Sequence, residues 1–176
     1  MLVVALESEE VCGSGAHATT ALCLDVMMRH LPSSSVRSLL DVGCGSGILA
    51  IVAAKLGVAE VMAVDIDPGS ARVAAKAAAS NGVTGQMTAT DANVADLDRS
   101  YEWVVANVET NTLIKLADIL FARVTPRGHL LLSGITESQE ARVQLAYTVT
   151  GERPRFELLE RNVRGSWVSL LLRRRP

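Results

Sequence analysis

Aromatic side chains are scarce in this sequence: two Trp, two Tyr and two Phe among 176 residues, or 3%. Tyr101, Trp103, Phe121, Tyr147, Phe156 and Trp167 are too few and too scattered for the stacking platforms that hold single-stranded nucleic acids. Basic charge is not in excess either. Lys and Arg number 17 against 19 Asp and Glu, a net charge of −2, so no global field draws the chain to nucleic acid or to an anionic membrane. The one basic cluster, Arg173-Arg174-Arg175, reads as a solvated, frayed tail. Three cysteines (Cys12, Cys23, Cys44) and three histidines (His17, His30, His129) match neither a disulfide framework nor a metal-ligand pattern. The uncharged apolar stretch 42–54 is shorter than the roughly 20 residues of a membrane span. The first ten residues lack a basic region and turn acidic at Glu7. No secretory signal is expected, and the cytoplasm is the expected compartment.

What the chain does have is apolar content, 49% of its residues, enough for one packed domain spanning 1–176. Short β-branched or leucine-rich runs alternate with helical stretches, the pattern of a parallel sheet covered by helices. Residues 3–6 read as a short extended lead-in. Residues 17–31 read as a helix, with Thr20, Leu24, Met27, Met28 and Leu31 at helical spacing. Strands are expected at 36–42, 61–64, 86–90, 101–106 and 129–133. Helices are expected at 47–56, 70–80 and 136–147, and another carries the stripe Leu113, Leu116, Ala117, Leu120 and Val124. Pro126-Arg127-Gly128 reads as a turn, and Thr136 with Gln139 reads as a capping box. Residues 156–160 and 167–172 are separated only by a short loop with Arg164 and Gly165. They predict an antiparallel terminal hairpin on a sheet of six or seven strands.

One segment carries the chemistry. Asp41-Val42-Gly43-Cys44-Gly45-Ser46-Gly47 follows a strand and opens a helix. Glycines there permit a tight turn and a close ligand, and the helix start offers N–H groups. A loop that merely caps a helix accounts for one glycine, not for three with flanking acids. Asp65 ends the next strand, where a carboxylate can accept both hydroxyls of a ribose. Gly45, Gly47 and Ala50 satisfy the dinucleotide-binding spacing G-x-G-x-x-A with Asp65 in the expected place. Three features favour S-adenosylmethionine instead. Asp41 at the lip of the loop would repel a pyrophosphate and suits a ligand carrying an ammonium and a sulfonium. The fourth strand ends in Asn107, which can hold an acceptor nitrogen. The terminal hairpin is foreign to the usual dinucleotide-binding sheet.

Four segments resemble the class I S-adenosylmethionine-dependent methyltransferases, and within them the catalytic domain of the bacterial ribosomal protein L11 methyltransferases. Residues 12–20 (Cys-Gly-Ser-Gly-Ala-His-Ala-Thr-Thr) resemble that family's F-G-T-G-x-H-x-T-T. Residues 41–50 match D-x-G-C-G-S-G-I-L-A, residues 64–68 match V-D-I-D-P, and residues 104–107 match V-V-A-N. Ser133-Gly134-Ile135 and Trp167-Val168 agree as well. Cys12 stands where the family has phenylalanine, and Ala18 where it commonly has proline. The resemblance implies a Rossmann-like α/β sandwich: a mostly parallel seven-stranded sheet with a C-terminal antiparallel hairpin and helices on both faces. It implies S-adenosylmethionine as cofactor, held by Thr20, Asp41, Gly43, Gly45, Gly47, Asp65, Ile66, Asp91 and Asn107, with Asn107 also the catalytic residue. Asp91-Ala92-Asn93 reads equally well as a helix cap. Glu109 either attracts a cationic acceptor or sits at a helix start, the latter preferred; His17 either lines the site or starts its helix. The family's N-terminal substrate-capturing domain has no counterpart in these residues.

The function expected is N-methylation of a protein lysine or amino terminus, with a small-molecule acceptor as the alternative. A dinucleotide-binding oxidoreductase domain and a non-catalytic S-adenosylmethionine-binding module are the competing readings from other classes. A nucleic-acid acceptor is not expected, because Asn107-Val108-Glu109-Thr110 lacks the N-P-P-aromatic pattern of amino-methylases that act on bases.

Overall fold

The computed structural model describes residues 3–6, 17–148 and 155–176. Residues 12–16 of the first motif, with the Cys12 substitution, lie outside the described residues. The elements in chain order are α1 (Ala18–His30), β1 (Ser38–Val42), α2 (Ile48–Lys55), β2 (Glu60–Val64), α3 (Pro68–Ser80), β3 (Met87–Thr90), β4 (Tyr101–Asn107), α4 (Thr110–Lys115), α5 (Ala117–Arg123), β5 (Val124–Thr136), α6 (Glu140–Thr148), β6 (Phe156–Arg164) and β7 (Trp167–Arg174). The strands form one seven-stranded sheet in the order β3-β2-β1-β4-β5-β7-β6. β1 to β5 run parallel, and β7 is antiparallel to both β5 and β6.

Each face of the sheet is closed by three helices. Cys23, Val26 and Met27 of α1, residues 48–54 of α2, and Ala74, Ala77 and Ala78 of α3 pack on one face with Leu39, Trp103, Val105 and Leu131. Leu113, Leu120, Val143 and Tyr147 from α4, α5 and α6 pack on the other with Leu40, Val104, Leu130 and Leu132. β1 is buried along its whole length, so Leu39 and Leu40 are apolar on both faces rather than alternating with polar residues, and the polar Ser38 and Asp41 are buried with them. α3 starts where Asp67 accepts from the Gly69 and Ser70 N–H groups, with Pro68 at its first position.

The structure corrects the sequence reading in several places. The helix with the Leu113–Val124 stripe is two short helices broken at Leu116, and Val124 already belongs to β5. The Pro126-Arg127-Gly128 turn lies inside β5, as an irregularity where the pairing with β4 jumps from Tyr101↔Val124 to Trp103↔His129. Arg127 takes a positive φ of 65° there. Thr136 caps no α-helix. A 3-10 turn (Glu137–Gln139) intervenes before α6, and the Thr136 hydroxyl donates to Gln139 Oε1 at 3.0 Å. On α1, Met28 is exposed while Cys23 and Val26 are fully buried, so the core stripe is shifted from the one read in sequence. The lead-in at 3–6, read as no sheet strand, is anchored where Ala5 exchanges hydrogen bonds with the Asn81 side chain at the end of α3.

The expected frayed tail is also overturned. Arg173 and Arg174 lie within β7. Arg173 pairs with Glu157 at 2.8 Å. Arg174 donates to the Phe121 and Val124 carbonyls and stacks 4.1 Å from the Phe121 ring centroid. A strand position gives these side chains fixed partners, which a free terminus lacks.

Candidate functional site

β1 connects outward to β2 on one side, while β4 lies on its other side. The loops after β1 and β4 therefore diverge, and open a crevice at the carboxyl ends of the strands. The glycine loop follows β1 directly. Gly43, Gly45 and Gly47 all take positive φ, 71°, 51° and 77°, a backbone that side chains other than glycine rarely adopt. Gly47 also lets α3 approach: a Cβ there would lie 2.9 Å from Ala74 Cβ.

The N–H groups of this loop are already committed. Gly43 and Cys44 donate to the Val64 carbonyl at 2.8 and 3.1 Å, and Gly47 donates to Cys44 O at 2.8 Å. Gly45 donates to Asp65 Oδ2 at 3.0 Å, and Ala50 to Asp41 Oδ2 at 3.2 Å. A dinucleotide site turns such groups toward a pyrophosphate. Here two carboxylates stand in those positions.

Asp41 lies beneath the loop rather than at its lip. It is 1% exposed. Burial pushes its carboxyl up to about 7, with the Asp65 charge adding to the shift and the Ala50 N–H opposing it. The same burial, with the Asp41 and Asp65 charges, pushes the Cys44 thiol up. Burial raises Cys23 to about 12, so neither is a reactive thiolate. Asp65 is half-buried at the end of β2, and its other oxygen accepts from the Asp67 N–H at 3.0 Å. Ile66 beside it is 80% exposed, an apolar side chain presented openly at the crevice. Asp91 is exposed just past β3. The cap of the following 3-10 turn is Asn93, whose side chain accepts from the Ala95 N–H, so the cap role considered for Asp91 falls to its neighbour.

Asn107 ends β4 beside Ser133 of β5. Its amide nitrogen donates to Thr20 Oγ1 at 3.3 Å, a contact across 87 positions that ties α1 to the crevice. Thr20 is 2% exposed. Ser133, fully buried, donates to the Thr19 carbonyl at 3.0 Å and fixes the same turn of α1. His17 is the N-cap of α1, bonds Thr19 through Nδ1 at 2.8 Å, and meets Trp167 edge-on with ring centroids 5.2 Å apart. It both starts its helix and lies against an aromatic. Glu109 stands at the N-terminal boundary of α4, exposed and without a side-chain cap bond. The structure thus gathers Thr20, Asn107 and the loop of Asp41, Gly43, Gly45, Gly47 and Asp65 at one end of the sheet. Val108 and Gly134 were not singled out individually in sequence, yet they form the packing between the loops after β1 and β4 and the C-terminal part of β5. No spacing rule marks such a contact.

The profile of the ribosomal protein L11 methyltransferase (PrmA) family matches residues 1–175. This chain belongs to that family. It is 37% identical over 179 residues to the ribosomal protein L11 methyltransferase of Desulfosudis oleivorans, covering 99% of this chain and 57% of that protein. It is 39% identical over 177 residues to that of Citrifermentans bemidjiense, covering 98% and 56%. The chain therefore spans little more than half the length of these family members. Among solved structures, a ribosomal protein L11 methylase from Lactobacillus delbrueckii subsp. bulgaricus superposes with a TM-score of 0.82 at 31% identity, covering 92% of this chain and 81% of that one. An RNA methyltransferase from Salinibacter ruber, solved with S-adenosyl-L-homocysteine, shares the fold with a TM-score of 0.67 at 17% identity. The sandwich expected from the family's sequence pattern, hairpin included, is the one observed.

Proposed function

We propose that residues 1–176 form an S-adenosylmethionine-dependent methyltransferase domain that methylates nitrogen on a protein, a lysine or an amino terminus. Ribosomal protein L11 is the acceptor to test first. The observation that carries this reading is the occupation of the Gly45 N–H in the loop by Asp65, with Asp41 holding the Ala50 N–H in the first turn of α2. The half-buried Asp65 carboxylate on the Gly45 N–H disfavours a pyrophosphate there and favours a ligand with cationic centres and a ribose. The residues present fit S-adenosylmethionine. Asp65 would accept from the ribose hydroxyls, Ile66 would cover an adenine face and Asp91 would meet its amino group. Gly43, Gly45 and Gly47 would let the methionine end lie against backbone, near Thr20.

The bound cofactor supplies an electrophilic methyl on a sulfonium. The protein's task is alignment, because in-line displacement needs acceptor, carbon and sulfur on one axis. A free lysine has a pKa of about 10.4, so little of it carries a lone pair at pH 7. Enclosure in the crevice lowers that value by desolvation. With its nitrogen turned to Thr20, the Asn107 amide presents its oxygen to accept N–H bonds from the neutral amine and to orient its lone pair. Family membership supports a protein acceptor over a small molecule, and a compartment where ribosomes are made.

Calorimetry with S-adenosylmethionine and with NAD tests the cofactor, and labelled methyl transfer tests the acceptor. Binding of S-adenosylmethionine alone, with label entering purified ribosomal protein L11, is expected. NAD binding without S-adenosylmethionine binding overturns the reading; label entering only small-molecule fractions overturns the protein acceptor.

A further inference from the structure

Val108, which follows Asn107 directly, is gripped from two sides. A Cβ built on Gly43 would fall 2.4 Å from Val108 Cγ1. A Cβ on Gly134 would fall 2.2 Å from the Val108 carbonyl oxygen and 2.9 Å from its carbon. Carbon atoms in packed interiors rest about 3.5–4.0 Å apart, so neither neighbour tolerates a side chain. Both glycines also hold positive φ, 71° and 81°. The Val108 side chain therefore rests on the loop after β1 and its peptide rests on Gly134, at the irregularity within β5 between Leu132 and Ile135. Two residues on, Thr110 Oγ1 donates toward Gly134 O at 3.4 Å and lies 2.9 Å from Gln139 Oε1. Gln139 Oε1 also takes the Thr136 hydroxyl. Before Val108, Asn107 is held in register with Ser133.

We propose that Val108 is a positioning residue: wedged between Gly43 and Gly134, it sets where the Asn107 amide stands relative to the glycine loop, and so relative to the methyl group to be transferred. The inference rests on the methyltransferase reading above. Val108 makes no demand on the ligand's chemistry. Its effect runs through Asn107, the residue bonded to it, because Val108 is in close contact with Gly43 on one side and Gly134 on the other. In-line transfer is sensitive to such shifts, since a misplacement of about 1 Å can cost on the order of a hundredfold in rate.

The test uses the full chain, S-adenosylmethionine and purified ribosomal protein L11. It reads cofactor Kd by calorimetry, kcat and KM by labelled methyl transfer, and the unfolding midpoint. Val108→Ala, which removes Cγ1, is expected to keep Kd and KM within about threefold and to lower kcat about tenfold or more. Val108→Thr, with the same branched shape, is expected to restore kcat to within about twofold of wild type. Gly43→Ala is expected to lower kcat, and the pair Gly43→Ala with Val108→Ala to regain part of it, because the lost Cγ1 makes room for the added methyl. A merely structural role would shift the midpoint and leave kcat of the folded protein unchanged. If Val108→Ala does not fold, the threonine variant and the double variant carry the test. Unchanged kcat in folded Val108→Ala overturns the proposal, as do a threonine variant no better than alanine and a double variant no better than Gly43→Ala. A wild-type chain that neither binds S-adenosylmethionine nor transfers methyl would instead overturn the methyltransferase reading, and this inference with it.

Discussion

Asp41 and Asp65 do different work with the same functional group. Asp65 sits at the crevice with one oxygen on Gly45 N–H and the other on Asp67 N–H; in the proposed cofactor site it would accept from the ribose hydroxyls. Asp65→Ala is expected to weaken S-adenosylmethionine binding by about 1–3 kcal/mol, the scale for losing hydrogen bonds to a charged group; calorimetry reads it, and an unchanged affinity would remove Asp65 from the site. Asp41 is sealed under the loop, and burial raises its carboxyl to about 7. The unfolded chain releases that proton near pH 3.9. The folded state thus holds an extra proton between about pH 4 and pH 7. The stability this contributes is complete below pH 4 and is lost as pH rises through 7. Asp41→Asn removes the linkage while leaving an oxygen for Ala50. Without cofactor, the variant should be the more stable chain at pH 8, by up to about 4 kcal/mol, and the gap should narrow toward pH 4. Urea unfolding at the two pH values checks this, and a gap that ignores pH contradicts the assignment. Both acids were legible in sequence as a flanking pair. Which one stays open to the crevice was not, because that depends on what packs over each.

Among the elements, the most legible were those whose ends carry local chemistry. α2 ends just before Gly57, as expected, and α3 ends at Ser80 as expected but starts two residues before the predicted 70, where Asp67 caps it and Pro68 opens it. The Leu113–Val124 stripe was misread because apolar spacing persists across the break at Leu116. Two short helices wrapping a curved surface leave the same periodic trace as one long helix. α6 was placed correctly, but its start was moved by tertiary contacts: Gln139 turns to Thr110 instead of closing a capping box. α6 is fastened to α4 where the buried Tyr147 hydroxyl donates to the Leu113 carbonyl at 2.7 Å. Burial pushes that phenol up, so it remains a donor across the physiological range. Tyr147→Phe is expected to cost about 1–2 kcal/mol in urea unfolding with little change in cofactor affinity. A loss of affinity would mean that α6 supports the crevice directly.

At the scale of the molecule, β7 enters between β5 and β6 from the far end of the chain. Val168, Leu170, Leu171 and Leu172 are at most 1% exposed and contribute to both core layers. The hairpin is therefore part of the core rather than an appendage. Truncation before Phe156 should abolish the cooperative urea transition, because β5 would lose its antiparallel partner β7 and both layers their apolar closure. A cooperative transition in the truncated chain would show that five parallel strands suffice. Among the described residues no helix is long and apolar enough to cross a membrane.

The sequence by itself determined the alternation of strands and helices, the antiparallel hairpin, the glycine loop with its two acids and Asn107 at a strand end. These are local patterns, set by side-chain periodicity and by the backbone freedom of glycine. Only the tertiary structure decided that Asp41 lies under the loop, that Arg174 is clamped on Phe121, that Thr20 meets Asn107 and that Val108 is held between Gly43 and Gly134. Each of these joins segments that the chain separates, so its strength depends on packing and burial, which periodicity along the chain does not encode.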